Sequence, residues 1–565
     1  MGKCLRCWVV AFVVVCCGWG ETSAQNRQAP KAPPPLPEPA LVVRFPSYEG
    51  LLDDIDYLGR LAGNPEASQQ VEALLALVTA GQGLQGLDRD RAGGMVVLFR
   101  GFQVEQMVFL PCSDAEKLVK LLELFAEELR PLEPENDDSP RFYHCRLNEQ
   151  RFYLRADPKW LWLARRKEVL ERVPASPEPW LKSLQAYDLA LELRYQQLPL
   201  MVRLGLKTGM LVGVFQRLTE ENEKLTQEKI DQAREELEFF FKVVDSLDRL
   251  ALGATLDAKK RAWQLELAID LVPESYWAKW SGMFRKGHTR HQGFISPKAA
   301  ANFAFTTLLD AQARQFLVKE ILELDTPERI RQQAGALAES DPDSPEYQQE
   351  VQWTEKLLKL MREITLDGTL DVCGALEVEQ QQSWFLLGVT LPEKQEVQQL
   401  VQQFLEPLAQ FRTEVIGQSK WKLARFAVED EDLEELLGSD LEGAVALGPR
   451  AVYLVFGPEA EKRLRRRLAS PRLGKPALVD HVLQAQLNLA QLIRMAHQME
   501  PDEETEELLK LLPEDASPLI SFSGEYAPGK ERYRLELNEA ALRLLIDLFR
   551  WGFRQAVEEE LMPEF

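Results

Sequence analysis

The chain has 565 residues, of which 45% are hydrophobic and 28% charged. That length exceeds one ordinary domain, and that balance excludes wholesale disorder, collagen-like repeats and a disulfide-dense mini-protein. With 67 Lys+Arg against 89 Asp+Glu the net charge is −22. This excludes a general binder of nucleic acid or anionic membranes and leaves room only for local basic patches.

Residues 1–24 read as a secretory signal peptide. Lys3 and Arg6 supply the positive start, Trp8 to Gly18 is almost wholly apolar, and Thr22-Ser23-Ala24 places small residues at a cleavage point near Ala24. The apolar run is too short for the ~20 residues of a membrane-spanning helix, and no later segment is apolar enough to span a bilayer. Removing the signal takes away a net +1 and leaves −23. It also removes Cys4, Cys7, Cys16 and Cys17, so only Cys112, Cys145 and Cys373 of the seven cysteines remain. An odd count does not build a disulfide framework, although Cys112 and Cys145 share one predicted module and are candidates to pair. Cys373 falls in an alternating strand and reads as a buried small hydrophobe. With no Asn-x-Ser/Thr acceptor anywhere, a bacterial protein secreted or held in the periplasm is expected. Residues 25–40 form a Pro-rich linker, containing Ala29-Pro-Lys-Ala-Pro-Pro-Pro-Leu-Pro-Glu-Pro39.

The remainder reads as a tandem duplication, with halves at 41–290 and 291–565. Leu189–Leu198 matches Leu483–Leu492, Trp160–Leu170 matches Val452–Leu464, and Trp263–Leu267 matches Tyr533–Leu537, in the same order. A smaller unit recurs within each half: an amphipathic helix, two strands with a tight connection, then another helix. Its four copies begin at Val71, Glu236, Trp353 and Glu506. Three copies end their second strand on Leu110-Pro111, Val272-Pro273 and Leu391-Pro392. Proline stops the ladder and suits the first turn of the helix that follows. Apolar and polar residues alternate in the strands, as in Arg534-Leu-Glu-Leu, while Leu118, Leu121, Leu122 and Phe125 show helical spacing. The predicted class is α+β: mostly antiparallel sheets, each covered on one face by amphipathic helices. A long charged helix is predicted from Glu220 to Leu247. Boundaries are predicted in the polar stretch Lys286–Gln292 and the acidic loop Glu339–Glu346.

Chemistry-bearing motifs are sparse. The chain has five histidines; His288 and His291 have metal-chelating spacing, but their cationic, glycine-flanked context reads as a solvated linker between the halves. His144 and Cys145 are strand neighbours and point to opposite faces, so they form no dyad. Ser521-Phe-Ser-Gly524 lies inside a strand pair and not at a nucleophile elbow. The acidic runs Glu429–Glu435 and Asp502–Glu507 suit helix starts. Trp160, Trp162, Trp277 and Trp280 read as core or sheet-face packing, with an aromatic ligand groove as the sharper alternative. No cofactor and no metal site is predicted.

One cluster stands out against the acidic background. Lys462, Arg463, Arg465, Arg466 and Arg467, with Arg472 and Lys475 beyond, follow a strand, and Arg165, Arg166 and Lys167 occupy the matching place in the first half. They are candidate docking patches for an anionic partner; the competing reading pairs them with the chain's own acidic helices. The function expected from all this is an exported, non-catalytic binding or scaffold protein, not an enzyme, whose partner is a protein, glycan or lipid of the envelope. The alternatives are a carrier of lipid or another apolar ligand, with a deep cavity under Leu118–Leu129 or Val397–Leu408, and a carboxylate-dependent hydrolase.

Overall fold

The computed structural model describes residues 36–561, except 102, 133–139, 206, 209–236, 297, 339–343, 380–381, 406–409, 418, 429–432, 435–436, 438–440, 500 and 514–516. The signal peptide, most of the Pro-rich linker, most of the helix expected from Glu220 and most of the acidic loop at 339–346 lie outside the described residues. The chain divides into two compact units that meet at Ser275 and Tyr276. Residues 276–290, assigned to the first half from sequence, pack in the second unit: Met283 and Phe284 join Leu309, Ala313 and Leu317.

In the first unit the strands are β1 (Leu41–Arg44), β2 (Gly94–Arg100), β3 (Gln103–Pro111), β4 (Glu128–Pro131), β5 (Arg141–Leu147), β6 (Gln150–Ala156), β7 (Trp160–Ala164), β8 (Leu189–Arg194), β9 (Leu247–Asp257) and β10 (Ala262–Leu271). The pairings within this unit are antiparallel, and the spatial order is β4-β5-β6-β7-β3-β2-β1-β8-β9-β10. The helices α1 (Tyr48–Leu61) and α2 (Ala67–Val78) connect β1 to β2. Helix α3 (Ala115–Glu123) follows β3, and α4 (Lys167–Leu170) and α5 (Glu178–Leu181) lie between β7 and β8.

The second unit opens with two-residue strands β11 (Arg285–Lys286) and β12 (His288–Thr289). It continues through β13 (Ala301–Leu308), β14 (Thr369–Glu379), β15 (Gln382–Thr390), β16 (Arg412–Ile416), β17 (Ser419–Ala427), β18 (Glu442–Leu447), β19 (Ala451–Gly457), β20 (Ala477–Leu478), β21 (Leu483–Asn488), β22 (Leu519–Ala527) and β23 (Lys530–Asn538). Its order is β16-β17-β18-β19-β15-β14-β13-β21-β22-β23, again antiparallel throughout. Strand for strand, this is the order of the first unit. The second unit's helices include α6 (Pro345–Asp367), α7 (Gln395–Leu405), α8 (Ala460–Leu468), α9 (Leu489–Met499) and α10 (Glu539–Leu561).

Local chemistry explains the junctions. Pro111 closes β3, and Asp114 then caps α3 by accepting from the Lys117 amide at 3.1 Å. Ser344 caps α6 through the Tyr347 amide, and Gly368, with φ near +89°, ends it in the left-handed conformation that an L side chain resists.

Helix α3 buries Leu118, Val119 and Leu121 against Cys145, Phe152, Leu154 and Leu161. Helix α7 buries Val397, Val401 and Leu405 against Ala424, Val445 and Leu447. Both helices rest on clusters of buried apolar side chains. The opposite face of the first sheet carries the larger core of Val42, Val96, Leu98, Phe109 and Trp162.

The strand β8 departs from the expected pattern. Its alternation suggests that the leucines face the packed side, yet Ala190 and Glu192 are buried while Leu189 and Leu191 are exposed. Register explains this. Val43, Leu191, Leu252 and Leu267 lie opposite one another across β1, β8, β9 and β10, and form an apolar row on the more open face. Val96, Val42, Glu192, Ala251 and Ala268 form the neighbouring row on the packed face.

Candidate functional site

The basic cluster falls on α8, where most of its charge is met internally. Arg463 is buried and reaches Glu377 (2.5 Å) and Glu379 (2.7 Å), with its guanidinium 4.3 Å from the centre of the Trp384 ring. Arg467 meets the same Glu377 at 2.5 Å, and Ser296 adds a backbone N–H to that carboxylate. Arg465 pairs with Glu414 and Glu461, and Lys462 with Glu459. These partners hold the carboxyls of Glu379, Glu414 and Glu461 below the usual carboxylate range: for Glu379 and Glu414 the arginine hydrogen bonds lead, and for Glu461 burial pushes upward but is outweighed by Arg465 and Arg412 together.

In the first unit Arg166 pairs with the buried Glu105, and Lys167 with Glu171 at 3.3 Å, while Arg165 donates to Gln150 at 3.1 Å. Arg466, Arg472 and Lys475 are exposed and have no ion-pair partner among the described residues. The outward positive charge of the cluster is therefore much smaller than its sequence.

The histidine pair divides. His288 is exposed on β12, which pairs with β20, whereas His291 is only 4% exposed. At His291 the solvated linker expected there is instead packed core, while Lys286, His288 and Gln292 remain exposed. His291 Nε2 lies 3.1 Å from the Asp371 carbonyl, which can only accept, so Nε2 carries the proton and Nδ1 accepts from the Tyr453 hydroxyl at 3.1 Å. The Asp371 carboxylate accepts from Thr306 (2.9 Å), Thr390 (2.8 Å) and the Arg290 amide (2.9 Å). Burial lowers the pKa of His291, and Asp371 opposes that only in part. The side chains of His291, Tyr453, Asp371, Thr306 and Thr390 are all buried, so the network ties core strands to one another.

Among the described residues Cys112, Cys145 and Cys373 are free and buried, with no disulfide between Cys112 and Cys145. Cys145 is buried beside a partly buried His144, as the strand geometry requires. Among the described residues no cluster of three or more His, Cys, Asp or Glu could hold a metal ion.

Other buried carboxylates in the described residues also have specific partners. Glu266 accepts from Tyr187 (2.6 Å) and Glu531 from Tyr533 (2.8 Å). Asp54 on α1 differs, because partial burial and then Asp188 and Asp53 push its carboxyl up to about 6.

The concave feature with a built floor is a recess of about 580 Å³ in the first unit, lined by Pro179, Lys182, Ser183, Glu192, Arg194, Gln197, Asp248 and Arg249. Sequence reading missed it, because no two of its charged residues form a recognised motif. β8 supplies Glu192 and Arg194, two residues apart and so on one face, and β9 supplies Arg249 opposite Arg194. Glu192 has 0% exposure. One of its oxygens accepts from Arg194 Nε (2.6 Å), and the other from Ser183 Oγ (2.5 Å) and Arg249 Nη1 (3.1 Å). Arg194 continues to Glu38 at 2.9 Å, and Arg249 to Asp270 at 2.8 Å. The result is a chain of alternating charge, Glu38-Arg194-Glu192-Arg249-Asp270, across the floor. Lys182 and Asp248 stand exposed at the rim with no charged partner among the described residues.

Strand register identifies the matching positions in the second unit: Gln486 for Glu192, Asn488 for Arg194, Leu519 for Arg249 and Asn538 for Asp270. All are neutral. Asn488 and Asn538 instead accept from backbone amides, Asn488 from Gln491 and Asn538 from Leu519 and Ala541. The ion chain belongs to the first unit alone.

Comparison with protein-family models, with curated proteins and with solved structures finds no match for this chain. Among the described residues no helix is long and apolar enough to cross a membrane.

Proposed function

We propose that the chain is an exported, non-catalytic binding protein of the bacterial envelope, built by tandem duplication, whose first unit holds a small polar ligand in the recess at β8 and β9. The observation that carries this reading is the buried Glu192 with its two arginines. A carboxylate taken into a core row costs several kcal/mol unless paired, and such an arrangement repays that cost as an ordered polar floor under an open recess. The identical strand order of the two units supports the duplication, and the loss of the four charged positions in the second unit supports a division into one binding copy and one scaffold copy. The signal-like N-terminus supports export.

The test is to purify the mature protein from its host envelope and identify bound small molecules by mass spectrometry, alongside a Glu192→Gln, Arg249→Met double variant. A ligand carried by the native protein and lost from the variant is expected. Equal ligand content in both overturns the recess as the site, and an intact N-terminal segment on protein found only in the cytoplasm overturns export.

A second reading, the apolar-ligand carrier, draws on the Val43-Leu191-Leu252-Leu267 row, in which Leu191 and Leu252 are 41% and 43% exposed. Organic-solvent extraction of the same preparation distinguishes it: stoichiometric lipid favours the carrier, and lipid-free protein removes it.

A further inference from the structure

We infer that the ligand of the recess is a small hydroxylated carboxylate of the sugar-acid type; this rests on the reading of the recess as a binding site. The argument is one of unused donors and acceptors. A guanidinium has five N–H groups. Arg194 spends three, on Glu192, Glu38 and the Trp180 carbonyl, and Arg249 spends three, on Glu192 and twice on Asp270. Among the described residues, each therefore keeps two N–H groups without a partner. Glu192 cannot serve a ligand, because both of its oxygens are engaged and its side chain is fully buried. What the floor still offers is donor N–H held in place by its own ion chain, and the Lys182 ammonium adds three more donors at the rim.

Oriented guanidinium and ammonium donors select an acceptor-only group, of which a carboxylate is the planar match. The opposite requirement comes from Asp248, an exposed acceptor without a cationic partner among the described residues, and from Gln197 and Ser183, which can accept as well. A purely anionic ligand would leave Asp248 repelled. Hydroxyl groups beside the carboxylate satisfy it. The lining carries no aromatic side chain, which suits a hydroxylated ligand better than a flat apolar one. A volume of about 580 Å³ accommodates one such molecule.

Isothermal titration of the mature chain with glucuronate, glucose, succinate and putrescine tests this, using Lys182→Gln and Asp248→Asn as exposed substitutions that leave the ion chain intact. Glucuronate is expected to bind and the other three to bind more weakly. Lys182→Gln should weaken glucuronate about tenfold through loss of a charged hydrogen bond. Asp248→Asn should narrow the preference for glucuronate over succinate. Binding of glucose or putrescine without glucuronate, or succinate equal to glucuronate, overturns the ligand class and leaves the recess as a binding site. Binding of none of the four at millimolar concentration overturns both. Glucuronate affinity unchanged in both variants places the ligand elsewhere and overturns the inference.

Discussion

His291 stands edge-on to Tyr453, ring centroids 5.4 Å apart, with Nδ1 3.1 Å from the tyrosine hydroxyl. The contact joins the segment before β13 to β19, and its other nitrogen joins both to β14. A neutral imidazole is required, because Nδ1 must accept while Nε2 donates.

The pH dependence follows from that protonation state. Burial lowers the folded pKa of His291 below its ordinary value near 6.5. Above that value both folded and unfolded chains hold a neutral ring, and the contribution to stability is complete. As pH falls below it, the unfolded chain takes up a proton that the folded one refuses, so stability declines until the lowered folded value is passed. Denaturant midpoints measured from pH 8 to 5 should fall less steeply in His291→Gln than in the parent. At pH 8 the variant should be less stable by about 2 kcal/mol, from the buried partners it strands. Equal slopes would remove His291 as the source.

Asp54 carries the opposite sign. Its folded carboxyl is pushed up to about 6, above the unfolded value, by burial first and by Asp188 and Asp53 next. Stability from this group is present below the unfolded pKa and is lost as pH rises through about 6. Asp54→Asn should therefore raise the melting temperature at pH 7.5 and leave it nearly unchanged at pH 4. Scanning calorimetry at the two values checks the difference.

The α8 cluster separates by burial. Arg463→Gln leaves Glu377 partly uncompensated in the core and should cost about 3 kcal/mol of stability. Arg466→Gln, at an exposed position without an ion partner among the described residues, should change stability by less than about 0.5 kcal/mol. Urea titration of both variants provides the comparison. Similar losses would mean that the arginines act as a single surface.

Gly253 on β9 lies beneath the Tyr187 ring, whose hydroxyl reaches Glu266 on β10. A Cβ there would overlap the ring. Gly253→Ala should cost about 1–3 kcal/mol by overpacking. Gly101→Ala, in open space though at positive φ, should cost about 1 kcal/mol through backbone strain alone. Thermal unfolding of both variants tests the ranking.

The cysteines give a covalent readout. Burial raises the thiol pKa of Cys112 and of Cys145 to about 11, and that of Cys373 further. Iodoacetamide at pH 8 should leave all three unlabelled in the native protein and label all three in guanidinium, as read by peptide mass spectrometry. Labelling of Cys112 in native protein would show that α3 opens readily.

What could be read in the sequence was local. The strand pairs at Met95–Leu110 and Leu519–Leu537, the proline-ended strands and the capped α3 each depend on neighbours within a turn or a hairpin, where alternation and proline chemistry act directly. The mixed helix-and-strand class followed from those pieces. The recess did not, because Glu192 meets Arg249 across 57 positions, and a lone Glu in Leu-Ala-Leu-Glu-Leu-Arg looks like a solvent-facing residue. His291 failed in the same way: its flanking Arg290 and Gly293 suggest solvent, while its partners at Asp371, Thr390 and Tyr453 are supplied by distant strands. Periodicity tells which residues share a face. It does not tell which face the rest of the chain covers, and β8 shows the difference.

The position of β1 bears on how the molecule is made. Leu41 sits between Val97 on one side and Leu193 on the other, so the earliest strand of the first unit occupies the middle of its sheet. A ribosome must therefore synthesise the chain to Arg194 before that strand has both neighbours. In the second unit Ala301 waits likewise for Leu487. Hairpins such as β2–β3 can close early, but neither sheet can be completed from its N-terminal end. Loop-closure entropy over such separations makes the final step slow. A nascent chain with this wiring stays open during synthesis, and the units become protease-resistant only after β8 and β21, respectively, have emerged.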